Sequence, residues 1–215
     1  MATKHMRRGS LRLLFRIARL EFDWHYDPTL ELKLPARTGE AGRPLTNEEV
    51  VLGRSYSLHT LTVTRQPAAW ALTEASAITS ELQYITSDDL DLDNPNGPRV
   101  WLHGSRKRVD RWGLLDDWSA TQLERRATSL KGAKGLVYTA NGSEESRQAS
   151  YCKALQDVFI RCDLDAEPDV RPSSLVAWAG VVALEETDKI EEVALRLGIR
   201  SLDVAARFIG FNWNK

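Results

Sequence analysis

The sequence predicts a mainly α-helical fold with one small antiparallel β-hairpin, an α+β class. Two observations predict it. Apolar residues recur at helical spacing in successive stretches, several of them opened by a capping residue. Only one pair of segments, on either side of Gly104, alternates with the two-residue period of a strand. The length of 215 residues suits one good-sized domain, or one domain and a fragment.

Residues 1–6 read as a leader and Arg7 to Phe22 as a basic amphipathic helix. Leu11, Leu14, Phe15 and Ala18 share one face, and Arg8, Arg12, Arg16 and Arg19 share the other. A solvated charged face accounts for those arginines more simply than DNA contact does. Asp27-Pro28-Thr29, Leu34-Pro35-Ala36 and the turn formers from Gly39 to Pro44 mark a linker over residues 25–45. Thr46 and Glu49 then form a capping box, which opens a helix running through Val51, Leu52 and Tyr56 toward Leu61. A second helix is expected over Pro67 to Ser76, with Trp70, Ala71 and Leu72 buried.

From Glu74 to Asp93 there are six acids and no Lys or Arg. Arg99 to His103 alternates as a strand, Gly104-Ser105-Arg106-Lys107 turns, and Val109 to Leu115 returns. Between Arg99 and Lys134 nine Lys/Arg face four acids, and four of those cations crowd the six residues from Arg106 to Arg111. That crowding favours a phosphate-contacting patch over a merely solvated hairpin tip. A helix over Trp118 to Ser129, capped by Asp117, comes next. A loop over Lys131 to Gly142 follows, carrying the apolar run Leu136-Val137-Tyr138. Ser143 to Arg161 is helical, with Tyr151, Leu155, Val158 and Phe159 at core spacing. Pro172 opens another helix that continues through Trp178, Val181 and Val182.

Lys189 to Trp213 closes the chain with two short helices. Ile190, Val193, Ala194 and Leu197 line one face of the first, and Gly198 suits a left-handed C-terminal residue. Ser201 caps the second, with Asp203 at its positive end. Leu202, Ala205, Ala206 and Ile209 are expected to be buried and Arg207 free.

The order and spacing of these words resemble the catalytic domain of the tyrosine recombinase (phage integrase) family, over roughly Arg43 to Trp213. That family writes Leu-Gly-His and, nine residues after the His, its nucleophilic Tyr; here Ile199 follows Leu197-Gly198 and Phe208 stands nine residues on. Ser76 to Leu82 resembles the family's Gly-Leu-Arg-x-Ser-Glu-Leu box, with Ile78 in place of the first phosphate-clamping Arg. Pro172 to Ala177 is similar to Pro-His-x-Leu-Arg-His, with Ser173 at the first His and Val176 at the second Arg. Lys107, with Arg106 as competitor, is nearest to the family's hairpin Lys.

The resemblance implies three segments. Residues 1–24 are a leader and the last helix of a core-binding-like domain, 25–45 a linker, and 46–215 a domain like the recombinase catalytic one. It also implies DNA as partner and strand cleavage through a phosphotyrosine as the family's chemistry. With Ile78, Ser173, Val176, Ile199 and Phe208 at the catalytic positions, no catalytic residue is expected beyond the remnant Lys107. The chain then reads as a pseudoenzyme that binds double-stranded DNA, a regulator or accessory factor in the recombination of a mobile element. Arg106, Lys107, Arg108, Arg111, Arg200 and Arg207 are the expected DNA contacts. Two alternatives stand beside this: a protein-interaction domain that has lost DNA binding and pairs with a true recombinase or another protein, and a divergent active recombinase that draws its hydroxyl from another tyrosine. Only seven residues follow Phe208, too few for the helix that the family exchanges between neighbours, so a monomer is expected.

Composition narrows the classes. Net charge is −1, so bulk charge does not announce a nucleic-acid binder, and only a local patch can. No CxxC or paired His offers metal-ligand spacing, and no Gly-rich loop precedes Lys-Ser/Thr, so no metal and no cofactor are expected. Cys152 and Cys162 read as reduced core residues of a cytoplasmic protein, nucleoid-associated if DNA-bound. No apolar run approaches the ~20 residues of a membrane span.

Overall fold

The computed structural model describes residues 2–30, 42–60, 62–130, 135–137 and 143–212. The chain divides into two compact units, Met1–Glu40 and Ala41–Lys215.

In the first unit α1 spans Ala2–Phe22, opening five residues before the expected Arg7. Its apolar face is uncovered within the unit: Leu11 and Leu14 are exposed, and only Phe15 and Ala18 are half-buried. After it, Asp27 accepts hydrogen bonds from the backbone N–H of Thr29 at 2.9 Å and from its hydroxyl at 2.6 Å, an Asx turn.

The second unit opens with α2 (Asn47–Ser57), whose Thr46–Glu49 capping box forms as the sequence requires. The helix stops at Ser57, short of Leu61. Val50, Gly53 and Ser57 form its buried face, so Val51, Leu52 and Tyr56 point to solvent. α3 (Arg65–Glu74) is the central element, buried from Pro67 to Glu74, with the Trp70 ring centroid 5.6 Å from that of Phe159. α4 (Asp117–Ser129) and α5 (Glu144–Arg161) pack against it. Asp116, one residue earlier than expected, caps α4 by accepting from Ser119 N at 2.8 Å. α5 buries Tyr151, Leu155, Val158 and Phe159 as its spacing predicts. Cys162 is buried but Cys152 is exposed, and both thiols are free; Cys152 is therefore no core residue, because it lies on the outer face of α5 beside Tyr151. Tyr138, the last residue of the expected apolar run, lies outside the described residues.

The sheet has three strands, β1 (Leu90–Asp91), β2 (Arg99–Leu102) and β3 (Arg111–Leu114), antiparallel in that order. β2 and β3 form the expected hairpin, paired Trp101 to Trp112 and Arg99 to Leu114. β1, two residues within the acidic run, adds a third strand beside that hairpin. Val100 and Leu102 point to the core, while Trp112 and Leu114 point out. Gly113 is required opposite α3: a Cβ there would sit 2.6 Å from the Ala75 carbonyl oxygen.

α6 (Pro172–Thr187), α7 (Ile190–Leu197) and α8 (Leu202–Phe208) build a second, smaller core. Ile190, Val193, Ala194 and Leu197 are buried as expected, and so are Ala205, Ala206 and Ile209. Leu202 is 40% exposed, contrary to expectation, because the first turn of α8 projects from this core.

Candidate nucleic-acid interface

The hairpin meets the C-terminus of α7 at its root. Gly198 takes φ +65°, and a Cβ there would lie 2.7 Å from Arg111 Nη1 and 2.8 Å from the Val109 carbonyl oxygen. Three consecutive carbonyls at this helix end are satisfied by the hairpin. The Arg196 carbonyl accepts from Arg111 Nε at 3.1 Å and from the Ser76 hydroxyl at 2.7 Å. The Leu197 carbonyl accepts from Arg108 Nη1 at 2.7 Å, and the Gly198 carbonyl from Val109 N at 3.0 Å. Cations suit a helix C-terminus, where the last carbonyls lack partners within the helix.

This geometry removes Arg111 from the expected DNA contacts and engages Arg108 internally. Arg111 makes a bidentate pair with Glu81, at 2.8 and 3.1 Å, and also donates to the Ser76 carbonyl at 2.7 Å. The two side chains are only 6% and 0% exposed, so Arg111 is an internal pin with no face for a phosphate. Glu81 in turn accepts from Ile78 N at 2.9 Å. Arg108 is half-buried with its guanidinium 4.9 Å from the Phe208 ring centroid. Burial, reinforced by the nearby Arg111 charge, pulls its pKa down to about 10. Its hydrogen bond to Leu197 turns it inward, away from a ligand on the surface. The other four are at the surface: Arg106 and Lys107 at the hairpin tip, Arg200 on the turn after α7, and Arg207 on α8. The tip is closed by reciprocal backbone bonds between Ser105 and Arg108.

Four of the five positions singled out by the resemblance meet in one apolar cluster. Val176 and Ile199 are buried members of it, and Ile78 and Phe208 pack against it. Ser173, on the first turn of α6, stays exposed, and with Ile78 and Val176 lines a small hollow of about 80 Å³. Tyr151 also lines that hollow. Its hydroxyl is fully buried against that of Thr73, and burial raises its pKa, which suits it poorly as a nucleophile.

The acidic run is largely spent inside the domain. Glu74 pairs with Arg54 and Glu81 with Arg111, while Asp89 pairs with His103 at 2.7 Å and Asp91 with Arg99 at 2.8 Å. Burial raises the Glu74 pKa against the pull of Arg54. Sequence reasoning missed these pairings, since each joins residues eight or more positions apart. It also missed the outward row Arg99, Trp101, Trp112 and Leu114. The Arg99 guanidinium stands 4.0 Å over the Trp112 ring, which Trp101 meets edge-on at 5.0 Å. The strict alternation of those residues was the available signal. Among the described residues no group of His, Cys, Asp and Glu could hold a metal ion, and no helix is long and apolar enough to cross a membrane.

No protein-family model matches the sequence, and no curated protein matches it. Solved structures do match. The chain superimposes on XerA recombinase with a TM-score of 0.64 and 14% identity, over 95% of this chain and 72% of that one. A lambda integrase, solved as a dimer bound to a COC′ core site, gives 0.64 and 15%, over 97% of this chain and 60% of that one. The Tn1549 transposon integrase, in complex with a circular intermediate DNA, gives 0.65 and 14%, over 100% of this chain and 76% of that one. The fold is the tyrosine-recombinase fold. Within it, the helical frame and the small sheet are those that the resemblance implied, and the hairpin root, the α7–α8 turn and the start of α6 surround the apolar cluster.

Proposed function

We propose that this chain is a tyrosine-recombinase-like domain that grips double-stranded DNA without cutting it. One observation carries the reading: Ile78, Val176, Ile199 and Phe208, far apart in sequence, share one apolar cluster. Strand cleavage by a tyrosine recombinase needs a hydroxyl to attack and fixed cations to hold the charge that builds on the phosphate. Phe208 has no oxygen. Aliphatic side chains stand at both positions aligned with the family's arginines, and loss of even one pre-organised donor typically slows such steps by ~10²–10³. Arg108, which reaches this cluster, is held on the Leu197 carbonyl and over the Phe208 ring.

DNA as the partner is supported by the fold and by the surface cations. The lambda and Tn1549 integrases of this fold were solved on DNA. Arg106, Lys107, Arg200 and Arg207 are exposed around the same hairpin–α7 junction, free of the internal pairing that holds Arg108 and Arg111. The biological role that follows is regulation of, or assistance to, the recombination of a mobile element. Two measurements test the reading. A mobility-shift titration is expected to give a Kd below ~10⁻⁶ M at physiological salt, weakening steeply as salt rises; no shift on any duplex overturns DNA binding. A nicked suicide substrate is expected to trap no covalent adduct, and a trapped adduct establishes the divergent active enzyme instead.

A further inference from the structure

Beside β3, on the flank of the hairpin, a groove of about 310 Å³, lined by Trp112, Leu114, Leu195, Asp110 and Glu192, shares Leu114 and Arg196 with a second hollow of about 390 Å³. Its apolar lining is unusually open for large side chains: Trp112 is 39%, Leu114 55% and Leu195 64% exposed. Singly exposed apolar residues need no explanation, but neighbours that share a concave surface mark interaction sites. The charge around them is one-sided. Each arginine in the lining is already neutralised: Arg111 by Glu81, Arg54 by Glu74 and Asp116, and Arg196 by Glu186 at 2.7 Å. Asp110 and Glu192 remain on the walls with no ion-pair partner among the described residues. Asp116 and Glu186 still expose about half of their side chains, at 48% and 53%. The groove therefore carries surplus negative charge around an apolar floor and disfavours a phosphate backbone.

We propose that this groove docks a basic amphipathic segment of a partner protein. Its apolar side chains seat against Trp112, Leu114 and Leu195, and its Lys or Arg residues reach Asp110 and Glu192. The choice of occupant follows from charge complementarity: an acidic wall rewards cations, and an apolar floor rewards the opposite face of the same segment. Trp112 is the natural anchor. It is large, held by Arg99 and Trp101, and loses little conformational freedom when covered.

The test uses the full chain and a labelled synthetic helix of about 16 residues, patterned with Leu on one face and Lys on the other. A second helix has Glu in place of every Lys. Fluorescence anisotropy is expected to show saturable binding of the Lys helix only, weakening with salt. Leu195→Asp, at a site exposed enough to spare the fold, is expected to raise Kd at least ~10-fold, and so is Asp110→Lys with Glu192→Lys. Equal binding of both helices, no binding, or an unchanged Kd in both variants overturns the proposal. A dimer that forms without peptide and dissolves in Leu195→Asp overturns it too, by assigning the groove to a second copy. DNA titration of the same variants keeps the two readings apart, because the groove residues are expected to leave the DNA curve unchanged or slightly strengthened.

Discussion

The tip and the root of the β2–β3 hairpin carry the same residue types within six residues, and they do opposite things. Arg106 and Lys107 stand in water. Arg108 and Arg111 are drawn inside, one onto a carbonyl and an aromatic ring, the other onto Glu81. A basic run read as one patch is thus two devices. The tip offers charge to a ligand, and the root fastens the hairpin to the end of α7. A cation beside a helix C-terminus with a buried carboxylate in reach satisfies several orphan acceptors at once, and among the described residues Arg106 and Lys107 meet no such partners.

That contrast can be broken by substitution. The largest effect is expected from Glu81→Ala, which leaves Arg111 buried without its partner; urea denaturation should show a loss of about 3–5 kcal/mol. Gly198→Val forces a β-branched residue into φ +65° against Arg111 and Val109, and the same measurement should show about 1–3 kcal/mol lost. Arg106→Ala with Lys107→Ala should leave stability within ~0.5 kcal/mol yet weaken DNA binding, reducing the slope of log Kd against log salt by about 2. Arg108→Leu should do the reverse, costing ~1 kcal/mol of stability for the lost carbonyl bond while leaving the salt slope unchanged. An unchanged stability in Glu81→Ala, or a salt slope that falls in Arg108→Leu, would erase the distinction between tip and root.

The smallest effect concerns the dryness of the hollow beside Ile78 and Val176. Burial raises the pKa of Tyr151, and also of Cys162. The unfolded chain gives up these protons first. Stability is therefore complete below the ordinary thiol and phenol range, and is lost as pH rises from about 9 toward the raised folded values. Tyr151→Phe should flatten that decline, measured as urea midpoints between about pH 8 and about pH 10.5. A decline that Tyr151→Phe leaves untouched would show the phenol in contact with water.

Much of the frame was legible before any coordinates. The Thr46 capping box, the α5 stripe from Tyr151 to Phe159, the Gly198 turn and the Ser201 cap are local patterns, and each formed where it was written. What was not legible required partners distant in sequence. The six acids from Glu74 to Asp93 read as a run with no Lys or Arg in it, yet four of them meet Arg54, Arg111, His103 and Arg99. Periodicity identifies which side of a strand a residue takes, and it carries no information on which charge waits there. The same limit explains Cys152 and Leu202, both assigned to a core that their neighbours on the helix fill instead.

By itself, the sequence determined the helices, several of their caps and the hairpin, because these depend on spacing along the chain and on side-chain chemistry. Only the tertiary structure decided that Ile78, Val176, Ile199 and Phe208 share one cluster, and that Arg108 and Arg111 of the hairpin are turned inward. Burial is the physical reason. An arginine in water is indifferent to its neighbours, whereas one enclosed by protein must be paired, and the pairing is set by what the fold brings within 3 Å of it.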